Sequence, residues 1–174
     1  MELHGSETEK NLMTALQGEA LAHLKYQFYR SKISNYSKEY EQILDEIVHN
    51  EKEHGKIWFK LLHEGGVPND WKNLTDAITG EKYEATEMYP EFARIAKEEG
   101  FDEISELFSE VAKIERRHMY EFLNIRDEMS EGSTFKDMEY VTWECLNCGY
   151  SYHGKIALEE CPICKHPRKY FSRS

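Results

Sequence analysis

Carboxylates stand where a helical core should be apolar. Along much of this chain, aliphatic and aromatic residues recur at steps of three and four, the stripe by which a helix buries one face in a bundle. One stripe runs Leu12, Leu16, Glu19, Ala22, Tyr26 and Ile33, and a second runs Leu44, Ile47, Glu51, His54, Trp58 and Leu61. A third runs Ile104, Phe108, Val111, Glu115, His118, Phe122, Ile125 and Met129. With Glu84 on a further helical segment, four acids fall on core-facing positions, and ionised carboxylates are costly there unless cations neutralise them. A chain patterned this way folds as a bundle around metal, or pays for buried acids held neutral or paired with Lys and Arg.

The spacing of the acids points to two ions. Glu-x-x-His sets both side chains on one helix face, about one turn apart, so both reach the same metal. Glu51/His54 and Glu115/His118 have this form on the apolar stripe, whereas Glu46/His49 lies off it and reads as a solvated face. Glu19 precedes Glu84 by 65 residues and Glu51 precedes Glu115 by 64. That repeat describes two helix pairs, each giving one Glu and then one Glu-x-x-His, the ligand set of a dinuclear carboxylate site. Oxygen-rich ligation with one imidazole per ion suits Fe or Mn better than Cu. Glu87, three residues after Glu84, is a surplus carboxylate: either a ligand that lets the ions change their coordination, or a group that orients a neighbour.

Four helices are expected, near 6–33, 37–64, 80–99 and 101–130. Short turns at Ser34-Asn35 and Gly100 make antiparallel neighbours, while HEGGVPNDWKNLTDAITG is long enough to cross the height of a bundle between helices two and three. The expected fold is therefore an all-α four-helix bundle of ferritin-like connectivity, with Pro90 kinking the third helix. The bundle takes residues 1–134, a linker 135–140, and a small β/loop domain 141–174.

That last segment holds all four cysteines of the chain, Cys145, Cys148, Cys161 and Cys164, as two C-x-x-C pairs. Two such knuckles offer four thiolates to one tetrahedral ion, and so small a module needs a metal staple in place of a core. Cysteine spacing alone does not separate Fe from Zn. The formal net charge of −11 argues against a nucleic-acid footprint and against adhesion to anionic membranes. With no apolar run of membrane-spanning length and no leader pattern at the start, a cytoplasmic location is expected.

GEALAHLKY (18–26), EKEH (51–54), GEKYEATEMYPEFARIAKEEG (80–100), IERRH (114–118) and WECLNCGY…CPICKHP (143–167) together resemble the rubrerythrins over almost the whole chain. The resemblance implies a ferritin-like di-iron bundle followed by a rubredoxin-like domain. Its di-iron ligands would be Glu19, Glu51, His54, Glu84, Glu87, Glu115 and His118, with Tyr26 a hydrogen-bond donor beside them and Fe held by the four cysteines. Lys165 departs from the glycine usual in free-standing rubredoxins. The implied activity is a peroxidase reducing hydrogen peroxide to water, fed through the tail iron by an external reductase or rubredoxin. The implied assembly is a head-to-tail homodimer. Two rivals remain: a ferritin-like ferroxidase, and a zinc-ribbon adaptor that catalyses nothing.

Overall fold

A computed structural model describes residues 2–33 and 35–174. Ser34, half of the expected first turn, lies outside the described residues. The chain divides into two compact units, Met1–Asn69 and Asp70–Ser174.

The first unit is a helical hairpin of α1 (Glu7–Ile33) and α2 (Lys38–Leu62). Ser37 starts α2 by accepting a hydrogen bond from the Glu39 N–H, which satisfies one of the donors a helix start leaves free. His23 Nδ1 lies 2.8 Å from the Val48 carbonyl oxygen and ties the two helices together near the middle of the hairpin. Arg30 pairs with Glu41 at 2.8 Å and with Asp45, closing the end near the turn.

The second unit begins with α3 (Asp70–Tyr83), a π-helical turn (Glu84–Met88) and α4 (Tyr89–Glu98), followed by α5 (Asp102–Glu131). The third helical segment thus starts ten residues earlier than position 80, and the irregular connection shrinks to residues 63–69. Pro90 falls in the first turn of α4, immediately after the π turn. There its missing N–H costs little, so the π turn accommodates the proline expected to kink a regular helix. Ala85, Ala93, Ala96 and Ala112 form the buried core of α3–α5, and small side chains there let the helices approach closely. Tyr89, Phe92 and Phe108 pack beside them, with Phe92 and Phe108 edge-on at 5.6 Å between centroids. Gly100, at φ 87°, reverses the chain into α5.

The tail is a three-stranded antiparallel sheet in the order β2-β1-β3, with β1 Lys136–Cys145, β2 Ser151–Ile156 and β3 Phe171–Arg173. Trp143 pairs with Tyr152, and Cys145 with Phe171. Residues 136–140, expected as linker, are therefore strand; Phe135 also packs on the tail's core, and its carbonyl accepts from the Ala157 N–H. Trp143, Ala157 and Phe171 are the buried apolar centre, joined by the wholly buried Cys145 and Cys161. The Trp143 indole N–H donates to the Gly154 carbonyl at 3.1 Å. Arg173 anchors the sheet to the end of α5, reaching Glu128 at 3.1 Å and the carbonyls of Ser133 and Lys136. No helix among the described residues is long and apolar enough to cross a membrane.

Candidate metal centres

Each helical unit brings one Glu beside one Glu-x-x-His. In the first, Glu19 comes from α1, and Glu51 and His54 from consecutive turns of α2; one ligand atom from each lies within 4.8 Å of the others. His54 turns Nδ1 toward the carboxylates, 3.2 Å from Glu51 and 3.8 Å from Glu19. A hydrogen bond shared with Glu19 holds the Glu51 carboxyl below its ordinary range, with His54 acting in the same direction. Gly55 is buried where α2 crosses α1, close to the Glu19 side chain. Tyr26 lies two turns along α1 from Glu19, half-buried, its ring 5.9 Å from that of Tyr29.

In the second unit, Glu115 and His118 project from α5, and the third partner is Glu81. His118 Nδ1 is 2.7 Å from Glu115 and 3.6 Å from Glu81. The spacing argument selected Glu84, three residues further on, which is not among these three; a π turn begins there. A π turn carries an extra residue, so side-chain phase counted at 3.6 residues per turn slips across residues 84–88. Glu84 is half-buried within the turn and close enough to raise the pKa of both Glu81 and Tyr89. Glu87 is exposed and joins neither group. Sequence reasoning misses Glu81 because the 65-residue spacing from Glu19 selects Glu84, and the third helix is expected to start only near residue 80. Tyr89 was missed as well, although it stands in the same E-M-Y-P segment that carries Pro90.

The second set fits a cation on its own chemistry. Glu81 Oε2 is buried with no hydrogen-bond partner, and burial, followed by the neighbouring Glu115, pushes the Glu81 carboxyl above its ordinary range. A buried acceptor left unpaired beside like charge is unfavourable, and a metal ion resolves both problems. Tyr89 is likewise pushed up, by burial and then by Glu84, Glu115 and Glu81.

The tail's thiols converge with near two-fold symmetry. Cys145 and Cys161 each receive a hydrogen bond from the residue four positions on, Gly149 at 2.8 Å and Lys165 at 3.0 Å. Each also donates its own N–H, to the carbonyls of Tyr150 and His166. The N–H groups of Tyr150 and His166 in turn donate to the sulfurs of Cys148 and Cys164. Sγ atoms of Cys145 and Cys164, and of Cys148 and Cys161, are 3.6 Å apart. That is far beyond a disulfide bond of about 2.05 Å. It is close to the edge of a tetrahedron with metal–sulfur bonds of about 2.3 Å. The His166 N–H lowers the Cys164 thiol to about 6. Cys148 is eased by the Tyr150 N–H, but its thiol neighbours and burial push it up to about 12.

Two helical units, each bearing one Glu and one Glu-x-x-His, with a four-thiolate module on the same chain, define a non-haem iron protein of the ferritin-like class. Comparison with known proteins narrows the class. The rubrerythrin family model matches residues 10–126, and the model of the rubrerythrin rubredoxin-like domain matches residues 143–172. The rubrerythrin of Porphyromonas gingivalis is 39% identical, the alignment covering 97% of this chain and 90% of the relative. The rubrerythrin of Nitratidesulfovibrio vulgaris is 38% identical, covering 97% and 95%. A structure of nigerythrin in a partially reduced state aligns over 96% of this chain and 86% of its own, at 27% identity and a TM-score of 0.37. The chain belongs to the rubrerythrin family. It is a di-iron protein with a further iron site in its tail, held by Cys145, Cys148, Cys161 and Cys164.

Proposed function

We propose that the chain is a non-haem di-iron peroxidase that reduces hydrogen peroxide to water and protects against oxidative stress. Electrons would come from an external reductase or rubredoxin by way of the tail's thiolate-bound iron. The observation that carries this reading is the pairing of two Glu plus Glu-x-x-His sets with an independent four-thiolate module on one chain. Storing iron as a ferroxidase requires no such module.

In this reading Glu19, Glu51, His54, Glu81, Glu115 and His118 hold the iron pair, with Glu84 in reserve as the nearest further carboxylate. When bound, the pair supplies the two electrons that cleavage of the O–O bond consumes, so that hydroxyl radical is not released. The protein's own groups manage the protons. Tyr89 keeps its phenolic proton at neutral pH, because burial and three carboxylates oppose its ionisation, and it is a donor at the edge of the second set. Glu81, with its raised pKa, is the carboxylate best suited to take up or return a proton as ligation changes. Glu51 and Glu115 each sit within reach of the His one turn on and fix its ring with Nδ1 toward the site. In the tail, the Tyr150 and His166 N–H groups stabilise negative charge on sulfur and so bear on the potential of the centre.

Arg173 fixes the tail to the far end of α5, about 15 Å along the helix from His118. We take this as support for a head-to-tail homodimer, in which one copy's tail serves the bundle site of the other.

The test is spectroscopic. Iron-loaded protein reduced anaerobically regains its thiolate-to-ferric colour rapidly with hydrogen peroxide and slowly with O₂. The Cys161→Ser variant loses turnover with a reductase but keeps single-turnover oxidation of the bundle site. Fast reoxidation by O₂ with slow reoxidation by peroxide would establish the ferroxidase instead.

A further inference from the structure

The tail joins α5 through a short crossing that polar contacts hold shut. Among the described residues no strand packs extensively along α5, so the junction lies where the helix ends. Gly132, at φ 62°, caps α5, and its N–H and that of Ser133 return to the last turn of the helix. The Lys136 N–H returns to the Ser133 carbonyl, and β1 begins there. Residues 132–135 are therefore the kind of segment about which a small domain swings. Side chains do not fill the joint: a cleft of about 240 Å³ opens there, with Glu128, Thr134, Trp143 and Phe171 in its walls.

One side chain ties this joint together. Arg173 in β3 is the register partner of Trp143 in β1, and its guanidinium lies 5.6 Å from the centre of the Trp143 ring. It reaches back 45 residues to the half-buried Glu128 carboxylate of α5, at 3.1 Å. It also donates to the carbonyls of Ser133 at 2.8 Å and Lys136 at 3.0 Å, and pairs with Asp137 at 3.6 Å. The planar fork of arginine N–H donors can serve a carboxylate and two carbonyls while lying over a ring, which a lysine ammonium cannot. Trp143 in turn packs with Cys145 and Cys161, two of the four thiols. Contacts thus run from α5, which carries Glu115 and His118, through Arg173 and Trp143 to the tail's metal site.

We propose that Arg173 is a positioning residue for the electron relay: it locks the tail's metal site in one place and orientation relative to α5. The proposal rests on the relay reading above. Each passage carries one electron, the tail iron going from ferrous to ferric and a bundle iron from ferric to ferrous, and the external reductase restores the tail. Arg173 is not itself a ligand; it fixes where the electron donor stands. A tail free to swing about residues 132–135 holds that geometry only part of the time, and a misplacement of about 1 Å can cost a factor of about 10² in rate.

Arg173→Gln, Arg173→Lys and Glu128→Gln test this in the full-length protein. With zinc loaded, backbone ¹⁵N relaxation compares the tumbling of β1–β3 with that of α5: the two move together in wild type, and the tail moves more freely in each variant. With iron loaded, fully reduced protein is mixed with hydrogen peroxide in stopped flow. Oxidation of the bundle keeps its wild-type rate, and the tail keeps its charge-transfer band and reduction potential. Recovery of the tail's colour, which reads electrons leaving it for the bundle, slows at least about tenfold in Arg173→Gln. Arg173→Lys keeps the charge without the fork and does not restore it. Should Arg173→Gln fail to hold tail iron, Glu128→Gln decides by the same readouts, because it removes the helix side of the contact and leaves the tail unaltered. An unchanged relay rate overturns the proposal. A slowed relay with a shifted tail potential overturns it too, since Arg173 then tunes the centre and does not place it. Wild-type protein whose tail passes no electrons to the bundle overturns the relay reading instead, and the tumbling comparison then still decides whether Arg173 locks the tail.

Discussion

At the scale of single residues, the tail shows how a departure from a pattern becomes a physical cost. Lys165 occupies the place in the second knuckle that Gly149 occupies in the first, and both have positive φ, 61° and 75°. A side chain in the left-handed region costs about 1–2 kcal/mol. A glycine there gives back roughly 0.5–1 kcal/mol through the freedom of the unfolded chain. Lys165→Gly should therefore stabilise the metal-loaded tail by about 0.5 kcal/mol, measured as a higher denaturant midpoint for loss of the charge-transfer band. The thiols give a pH prediction. Cys164, lowered to about 6 by the His166 N–H, is the thiolate present at neutral pH, whereas Cys148 is held protonated up to about 12. Only the thiolate binds metal, so capture of Zn²⁺ by metal-free protein should slow as pH falls through about 6. Stopped-flow uptake across pH 5–9 (about that range covers both the lowered and the ordinary thiol pKa) checks it, and a midpoint in the ordinary thiol range would contradict it.

At the scale of elements, the π turn decides which acids belong to the site. It carries Glu84–Met88 out of phase with α3, so Glu81 meets Glu115 and His118 while Glu87 faces solvent. Glu81→Ala should cost the bundle at least half of its iron, and Glu87→Ala should leave iron content unchanged, both read by metal analysis after identical loading. Gly55 offers a second test. A Cβ there would lie 3.6 Å from the Glu19 Cβ and 3.7 Å from Leu16 Cδ1, ordinary contacts that require no movement. Gly55→Ala should thus stabilise α2 by roughly 0.5–1 kcal/mol, seen as a higher melting temperature with iron content retained. The stripes, the Glu-x-x-His pairs and the short turn at Gly100 were legible in the sequence because each is a local, periodic feature. The early start of α3 was not, since WKNLTDAITG has too few apolar residues for a clear stripe and follows Gly65, Gly66 and Pro68.

At the scale of the whole molecule, the two kinds of metal site should respond differently when metal is removed. Trp143, Ala157 and Phe171 make too small a core to hold residues 136–173 alone, and the two buried cysteines are part of that core. Chelation should therefore remove amide-exchange protection across β1–β3 while the helical circular dichroism largely persists. Retained protection in the metal-free tail would show that the sheet folds without its staple.

The sequence by itself determined the chemistry: four thiolates on two knuckles, acids and imidazoles on helix faces, and a division between bundle and tail. These follow from residue identity and from spacings within a turn or two, over which backbone geometry is nearly invariant. Tertiary structure decided which carboxylate of the third helical segment joins the site, because a single π turn changes the phase of every residue beyond it. It also reduced the crossover to seven irregular residues, 63–69. Whether a linker can span a bundle depends on where helices end in space, and no count of breakers along the chain contains that length.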